Sequence, residues 1–168
     1  GRLVAYLKTT GEYDNTVFVF LSDNGAEATD PMEMSWMSHV NSRLLYDQST
    51  AAQGRPGSLT AIGAGFASAA SSPLRGYKFT ASEGGLRVPL IMAWPGNPGL
   101  ARGQVAAGFA HVTDLAPTLL SLTGTPQHQG QFAGRTVAVM TGQDLSPMLR
   151  DPAMTVHDPA RAVGYELS

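Results

Sequence analysis

The run Thr16-Val17-Phe18-Val19-Phe20-Leu21 is the feature that most narrows what this chain can become. Its residues are β-branched, aromatic or aliphatic without alternation, the pattern of a strand covered on both faces, as in a sheet flanked by helices. It stops abruptly at Ser22-Asp23-Asn24-Gly25, which puts acidic and amide side chains at the strand's carboxyl end. Open α/β sheets place their ligands there. Upstream, residues 1–12 read as the end of an amphipathic helix, with Leu3, Val4 and Leu7 on one face and Gly11 as its stop. A helix leading into a buried strand predicts an α/β fold.

Downstream the periodicity fades. Residues 26–76 show no clear period; Met32, Met34, Trp36 and Met37 suit a lid or a core patch, and the Ala/Gly/Ser-rich stretch 61–72 is too small-sided to form a core alone. A connection this long reads as a functional excursion. Residues 88–94 form a second apolar run, which Pro89 and Pro95 restrict to an edge or a short piece. Asp114 is placed to cap a helix in which Leu115, Leu119 and Leu122 share a face, Pro117 falls in the first turn and Gly124 ends the helix. From 125 to 168, short apolar pieces alternate with Gly and Pro, and no internal repeat is present.

Composition removes several function classes. The 168 residues carry a formal net charge of −2, so no basic field exists to hold a phosphate backbone, which argues against nucleic acid as a partner. Zero cysteines exclude a disulfide framework, a thiolate zinc site and a cysteine nucleophile within these residues, and leave the compartment undecided. No apolar stretch approaches the ~18 residues of a membrane span. The first residue is Gly1 and no leader follows it, so the expectation is a piece of a longer chain. With 19 glycines, 11 prolines and 14% charged residues, the chain should be loop-rich, with faces covered by something else.

Two segments could carry chemistry. Asp23 and Asn24 set a carboxylate beside an amide oxygen, which suits a hard cation such as calcium or magnesium; two donors fall short of calcium's 6–8 oxygens, and Asp-Asn-Gly is equally a turn. Lys78 lies between Tyr77 and Phe79, ahead of the pair Gly84-Gly85. Near a cation site a lysine binds an anion and neutralises charge on a departing oxygen; alone it is a solvated surface lysine. Glu83 and Arg87 are spaced to pair, but the glycines between them argue for a tight turn rather than a helix. His39, His111, His128 and His157 are the histidines. His111, beside the capped helix, is the candidate acid or base among them, weighed against structural roles for all four.

In order along the chain, SDNGAE (22–27), YKFTASEGGLRVPLIMAWPG (77–96) and HVTDLAPTLLSLTGTP (111–126) resemble the C-terminal half of the catalytic domain of arylsulfatases, in the alkaline-phosphatase-like superfamily. The likeness runs over roughly 1–150, continues weakly through Gly142-Gln143-Asp144-Leu145-Ser146-Pro147, and Val163-Gly164-Tyr165-Glu166-Leu167 resembles the segment before a C-terminal subdomain. It implies an α/β/α sandwich with a central mixed, mostly parallel sheet. Residues 1–168 would then be a partial sulfatase catalytic domain, without the N-terminal part that bears the nucleophile and without the C-terminal subdomain.

The resemblance further implies that Asp23 and Asn24 are two of four side-chain ligands of a divalent cation, normally calcium, and that Lys78 contacts the sulfate near the leaving oxygen. All three should face one pocket at the strand's carboxyl end. The other metal ligands, the formylglycine nucleophile and further pocket residues match upstream segments of the family. Ser71-Ser72-Pro73-Leu74-Arg75 formally matches the Ser-x-Pro-x-Arg pattern of a formylglycine precursor but lies after the metal motif, so its expected role is to shape the loop that presents Lys78. The implied partners are a sulfate-ester substrate and the remainder of the catalytic domain. Two alternatives stand beside this: a phosphodiesterase or phosphonate monoester hydrolase of the same superfamily, and a non-catalytic association module.

Overall fold

A computed structural model describes residues 1–30, 35–59, 61–160 and 162–164. Helix α1 spans Arg2–Thr10 and strand β1 spans Phe18–Leu21; helices α2 and α3 follow at Trp36–Leu45 and Gly63–Ser71. A single helical turn α4, Glu83–Leu86, leads to strand β2, Leu90–Ala93. Helix α5 spans Leu115–Leu122, strands β3 and β4 are Gln131–Phe132 and Arg135–Thr136, and helix α6 is Ser146–Arg150. β1 pairs with β2, and β3 pairs antiparallel with β4 with Gln131 opposite Thr136. No helix among the described residues is long and apolar enough to cross a membrane.

The chain divides into two units, 1–18 with 92–163 and 19–91 with 164–168. In the first, α1 ends as its sequence predicts. Gly11 takes a left-handed conformation at φ 77°, a region that costs glycine nothing, and the following Glu12 N–H returns to the Leu7 carbonyl at 2.9 Å. Lys8 stacks its ammonium 4.7 Å from the Tyr13 ring, and the indole N–H of Trp94 donates to the Asp14 carbonyl at 2.9 Å.

The centre of this unit is unusually polar. Leu145, Thr118, Asp114, Pro117 and Ser146 are its largest fully buried side chains. Buried polar atoms cost energy unless bonded, and here they are bonded. Thr118 Oγ1 donates to the Asp114 carbonyl at 2.6 Å and accepts the Leu145 N–H at 2.8 Å, tying α5 to the segment that enters α6. The Asp114 carboxylate accepts the N–H groups of Gln143 (2.8 Å) and His111 (2.7 Å) and lies 2.7 Å from His157 Nε2. Burial, the largest single influence, pushes its pKa up; the bonds from Gln143, His111 and His157 outweigh that and hold the carboxyl below the usual range.

This corrects the expected helix start. A 3-10 turn, Val112–Asp114, precedes α5, and its cap is His111, whose Nδ1 accepts the Thr113 N–H while Asp114 reaches back to the His111 N–H. Asp114 therefore stands at the N-cap position of α5 without a side-chain capping bond there, its carboxylate serving instead as the reciprocating member of the capping box on the preceding turn. Leu115, Leu119 and Leu122 are only half-buried, and Pro117 and Thr118 are the residues turned inward.

The second unit departs further from expectation. The region read as an excursion contains α2 and α3. α2 starts where Ser35 Oγ accepts the Ser38 N–H at 3.1 Å, a cap that a single serine among several did not announce. α3 is the Ala/Gly/Ser-rich stretch: alanine is the best helix former, and its small side chain lets Ala67 become fully buried. α4 likewise turns helically through Gly84 and Gly85, both buried. Trp36 and Met37 are exposed, which gives no core patch there, and Met32 and Met34 lie outside the described residues, as do Tyr165, Glu166 and Leu167. β1 is shorter than the apolar run, and Phe20 is 62% exposed, so the described residues do not cover both faces of the strand.

Candidate functional site

Ser22, Asp23, Asn24 and Gly25, directly after β1, line a pocket of about 620 Å³ whose wall also includes Ser71, Ser72, Pro73 and Arg87. The Asp23 side chain is exposed and Asn24 is half-buried. Among the described residues neither side chain has a hydrogen-bond or ion-pair partner. A carboxylate and an amide oxygen left uncommitted at a pocket rim fit a hard cation as part of a ligand set. They supply two of the 6–8 oxygens calcium takes, and the described residues contain no group of three His, Asp or Glu side chains placed to hold a metal.

The loop that carries them is fixed through the backbone. Gly25 N–H donates to the Gly85 carbonyl and Lys78 N–H to the Ala26 carbonyl, each at 3.0 Å, while Gly84 N–H donates to the Arg75 carbonyl at 2.8 Å. These segments cross so closely that a Cβ on Gly25 would overlap the Gly84 carbonyl oxygen, and one on Gly84 would overlap that of Gly76. Glycine is needed at both places for proximity rather than for conformation. The crossing brings the SDNGAE loop and the Lys78 segment together although more than fifty residues separate them.

Lys78 stands at that joint but not in the pocket wall. Its ammonium lies 2.7 Å from Glu27 Oε2 and 5.0 Å from the centre of the Phe79 ring, with about a third of the side chain exposed. Glu27 Oε1 in turn accepts the Thr29 N–H at 2.8 Å. The side-chain bond from Lys78, helped by Thr29, lowers the Glu27 pKa to about 2. The structure thus places Asp23 and Asn24 in one pocket and gives the Lys78 amine to Glu27, three residues beyond Asn24. Glu27 is the member that reading by residue missed; the acid inside SDNGAE was visible, its lysine partner was not.

The remaining candidates take structural positions. Ser71 Oγ donates to the Gly84 carbonyl at 3.4 Å and Arg75 offers its carbonyl to Gly84, so the Ser-x-Pro-x-Arg match helps build the loop leading to Lys78. Glu83 and Arg87 pair at 3.3 Å with both side chains about two-thirds exposed, an arrangement worth little energetically. His157 bonds Asp114 and meets the Phe109 ring edge-on at 5.2 Å.

The sequence profile of the family described as Sulfatase matches residues 1–125. Among curated proteins, the chain is 36% identical over 143 residues to an uncharacterized sulfatase of Schizosaccharomyces pombe, covering 85% of this chain and 26% of that protein. It is 33% identical over 153 residues to the arylsulfatase of Klebsiella aerogenes, 87% of this chain and 31% of that protein. The N-acetylgalactosamine-6-sulfatase of Mus musculus is 28% identical over 149 residues, 89% of this chain and 21% of that protein. The chain thus spans between about a fifth and a third of the length of these three relatives. A profile that covers most of the residues, together with relatives aligned across nearly the whole length, means that this chain belongs to the sulfatase family and with it to the alkaline-phosphatase-like α/β fold.

Proposed function

We propose that these residues are the C-terminal half of a sulfatase catalytic domain, arranged around a central mixed, mostly parallel sheet, and that the protein hydrolyses sulfate esters. The observation that carries this reading is the joint between the SDNGAE loop and the Lys78 segment. Among the described residues it presents two uncommitted oxygen-bearing side chains, Asp23 and Asn24, at a pocket and an ammonium held beside the same loop. Metal-ligating oxygens and an ammonium at one strand end are what a reaction needs when it binds an anionic ester and builds charge on a departing oxygen.

In this reading Asp23 and Asn24 hold the divalent cation, calcium, which when bound supplies positive charge toward the sulfate oxygens. Lys78 contributes an ammonium with three donors; with one on Glu27, two remain for sulfate oxygens and the leaving oxygen. Arg87, also in the pocket wall, keeps its guanidinium on Glu83. The formylglycine nucleophile belongs to a residue outside these 168, because there is no cysteine and Ser71 is engaged in the loop.

The test is calcium titration with aryl sulfate kinetics on a complete sulfatase domain that carries this sequence. Asp23→Ala should abolish the calcium-dependent heat and the activity together while the fold stays intact. Calcium binding unchanged by Asp23→Ala would return the Asp-Asn-Gly segment to a plain turn. Turnover of a phosphonate monoester in preference to aryl sulfates would overturn the substrate class.

A further inference from the structure

A lysine amine sits on a four-carbon stem with free rotation at every bond, so it reaches a substrate reproducibly only when something aims it. Here that something is present, and it is built. Glu27 Oε1 is pinned by the Thr29 N–H at 2.8 Å, Glu27 Oε2 takes the Lys78 ammonium at 2.7 Å, and the Lys78 backbone N–H is anchored to Ala26 at 3.0 Å. Both ends of the lysine are therefore fastened to the same short loop, the one that carries Asp23 and Asn24. The Phe79 ring, 5.0 Å from the ammonium, adds a cation–π contact.

We propose that Glu27 is the positioning residue of Lys78: its carboxylate, oriented by Thr29, holds the ammonium against the metal-ligand loop and keeps hold of it when an anion binds. The inference rests on the reading of Lys78 as the sulfate contact. It adds an acid that never touches substrate and acts only through the lysine. An exposed ion pair without such fastening would contribute nothing lasting, because side-chain entropy opposes it. The bond from Thr29 removes part of that entropy by fixing the carboxylate before the lysine arrives. Because one ammonium has three donors, sulfate and Glu27 do not compete for the same hydrogen.

The experiment uses the two lysines of the chain, Lys8 and Lys78, whose ammonium groups give two signals in a lysine-selective 1H–15N correlation spectrum. In the 168-residue chain at pH 6, the Lys78 ammonium should show slow hydrogen exchange and restricted motion. Glu27→Gln, which keeps the amide oxygen for Thr29 but removes the charge, should broaden or erase the Lys78 signal and leave Lys8 and the Thr29 amide unchanged. A Lys78 signal identical in the two proteins overturns the proposal.

Sodium sulfate, against sodium chloride of matched ionic strength, provides the second arm. Sulfate should shift Lys78 while its exchange stays slow. Exchange that accelerates to that of a free amine means Glu27 has been displaced, and overturns the proposal. If Glu27→Gln releases Lys78 but sulfate moves neither lysine, the positioning role stands and the sulfate-contact reading of Lys78 is the part that fails. Should Glu27→Gln not fold, Lys78→Met supplies the same information from the other side: the Glu27 carboxyl midpoint should rise from about 2 toward 4.5, and a midpoint that stays low overturns the pairing.

Discussion

Replacing Asp114 by asparagine should destabilise the protein as much as replacing it by alanine, although asparagine preserves shape. The carboxylate is fully buried and acceptor-only; Oδ1 receives the Gln143 N–H, and Oδ2 receives the His111 N–H and faces His157 Nε2. An amide has one oxygen and one NH2 group, so either orientation points a donor at a backbone donor. One N–H then loses its acceptor inside the protein, at a cost of about 1–3 kcal/mol. The charge-assisted part of the remaining bonds disappears as well, and relief of burying the charge returns some of it, for a net loss of about 2–4 kcal/mol. For a chain of this size that lowers Tm by roughly 5–15 °C.

His157→Ala removes one of the three contacts, at a side chain that is 15% exposed, and should cost less, about 1–2 kcal/mol. Thermal unfolding at pH 7 of the wild type and the three variants tests the ranking. Asp114→Asn within about 2 °C of wild type, or a His157→Ala loss larger than that of Asp114→Asn, would refute the hub assignment. The pH dependence has a fixed sign. The folded-state pKa of Asp114 lies below its unfolded value, so its contribution is complete at neutral pH and is lost as pH falls below about 4 toward the folded pKa, at up to ~1.4 kcal/mol per pH unit. Asp144 acts in the same direction; burial raises its pKa, but bonds from Ser121 and Ser146 and the nearby Arg150 lower it more. Asp114→Ala should therefore unfold less steeply with acid than wild type does.

Gly25→Ala drives a methyl group into the Gly84 carbonyl, and should cost about 1–3 kcal/mol while loosening the loop that carries Asp23 and Asn24; a Tm equal to wild type would mean the crossing is slack. In a complete sulfatase domain carrying this sequence, Lys78→Ala should lower kcat/KM on the order of 10²–10³-fold with unchanged Tm. Arg75→Ala, which leaves its loop carbonyl in place and truncates an exposed side chain, should spare both Tm and kcat/KM; near-normal kcat/KM in folded Lys78→Ala returns that lysine to the solvated surface. The 168-residue chain alone should not hydrolyse aryl sulfates, because it has no cysteine and its Ser-x-Pro-x-Arg match, Ser71, is bonded to the Gly84 carbonyl in the loop that leads to Lys78. Turnover clearly above buffer by the pure chain would contradict this.

Local rules read correctly where the physics is local. The amphipathic residues 2–10 with Gly11 behind them could end only in a helix stopped by a left-handed glycine, and the apolar runs around 18–21 and 90–93 could be little else than short strands. The motif SDNGAE placed a carboxylate and an amide at a strand end, where the pocket is found. The same rules failed where burial, not period, governs. α3 is helical because alanine favours it and a fully buried Ala67 needs a small residue, and no hydrophobic stripe announces that. The partners of the key charges were out of reach for a different reason. Asp114 meets Gln143 and His157, 29 and 43 residues away, and Glu27 meets Lys78 across a chain crossing that glycines alone permit. A side-chain period encodes which face a residue turns to, but a charge's pKa and aim depend on which distant donor the folded backbone carries within 3 Å of it.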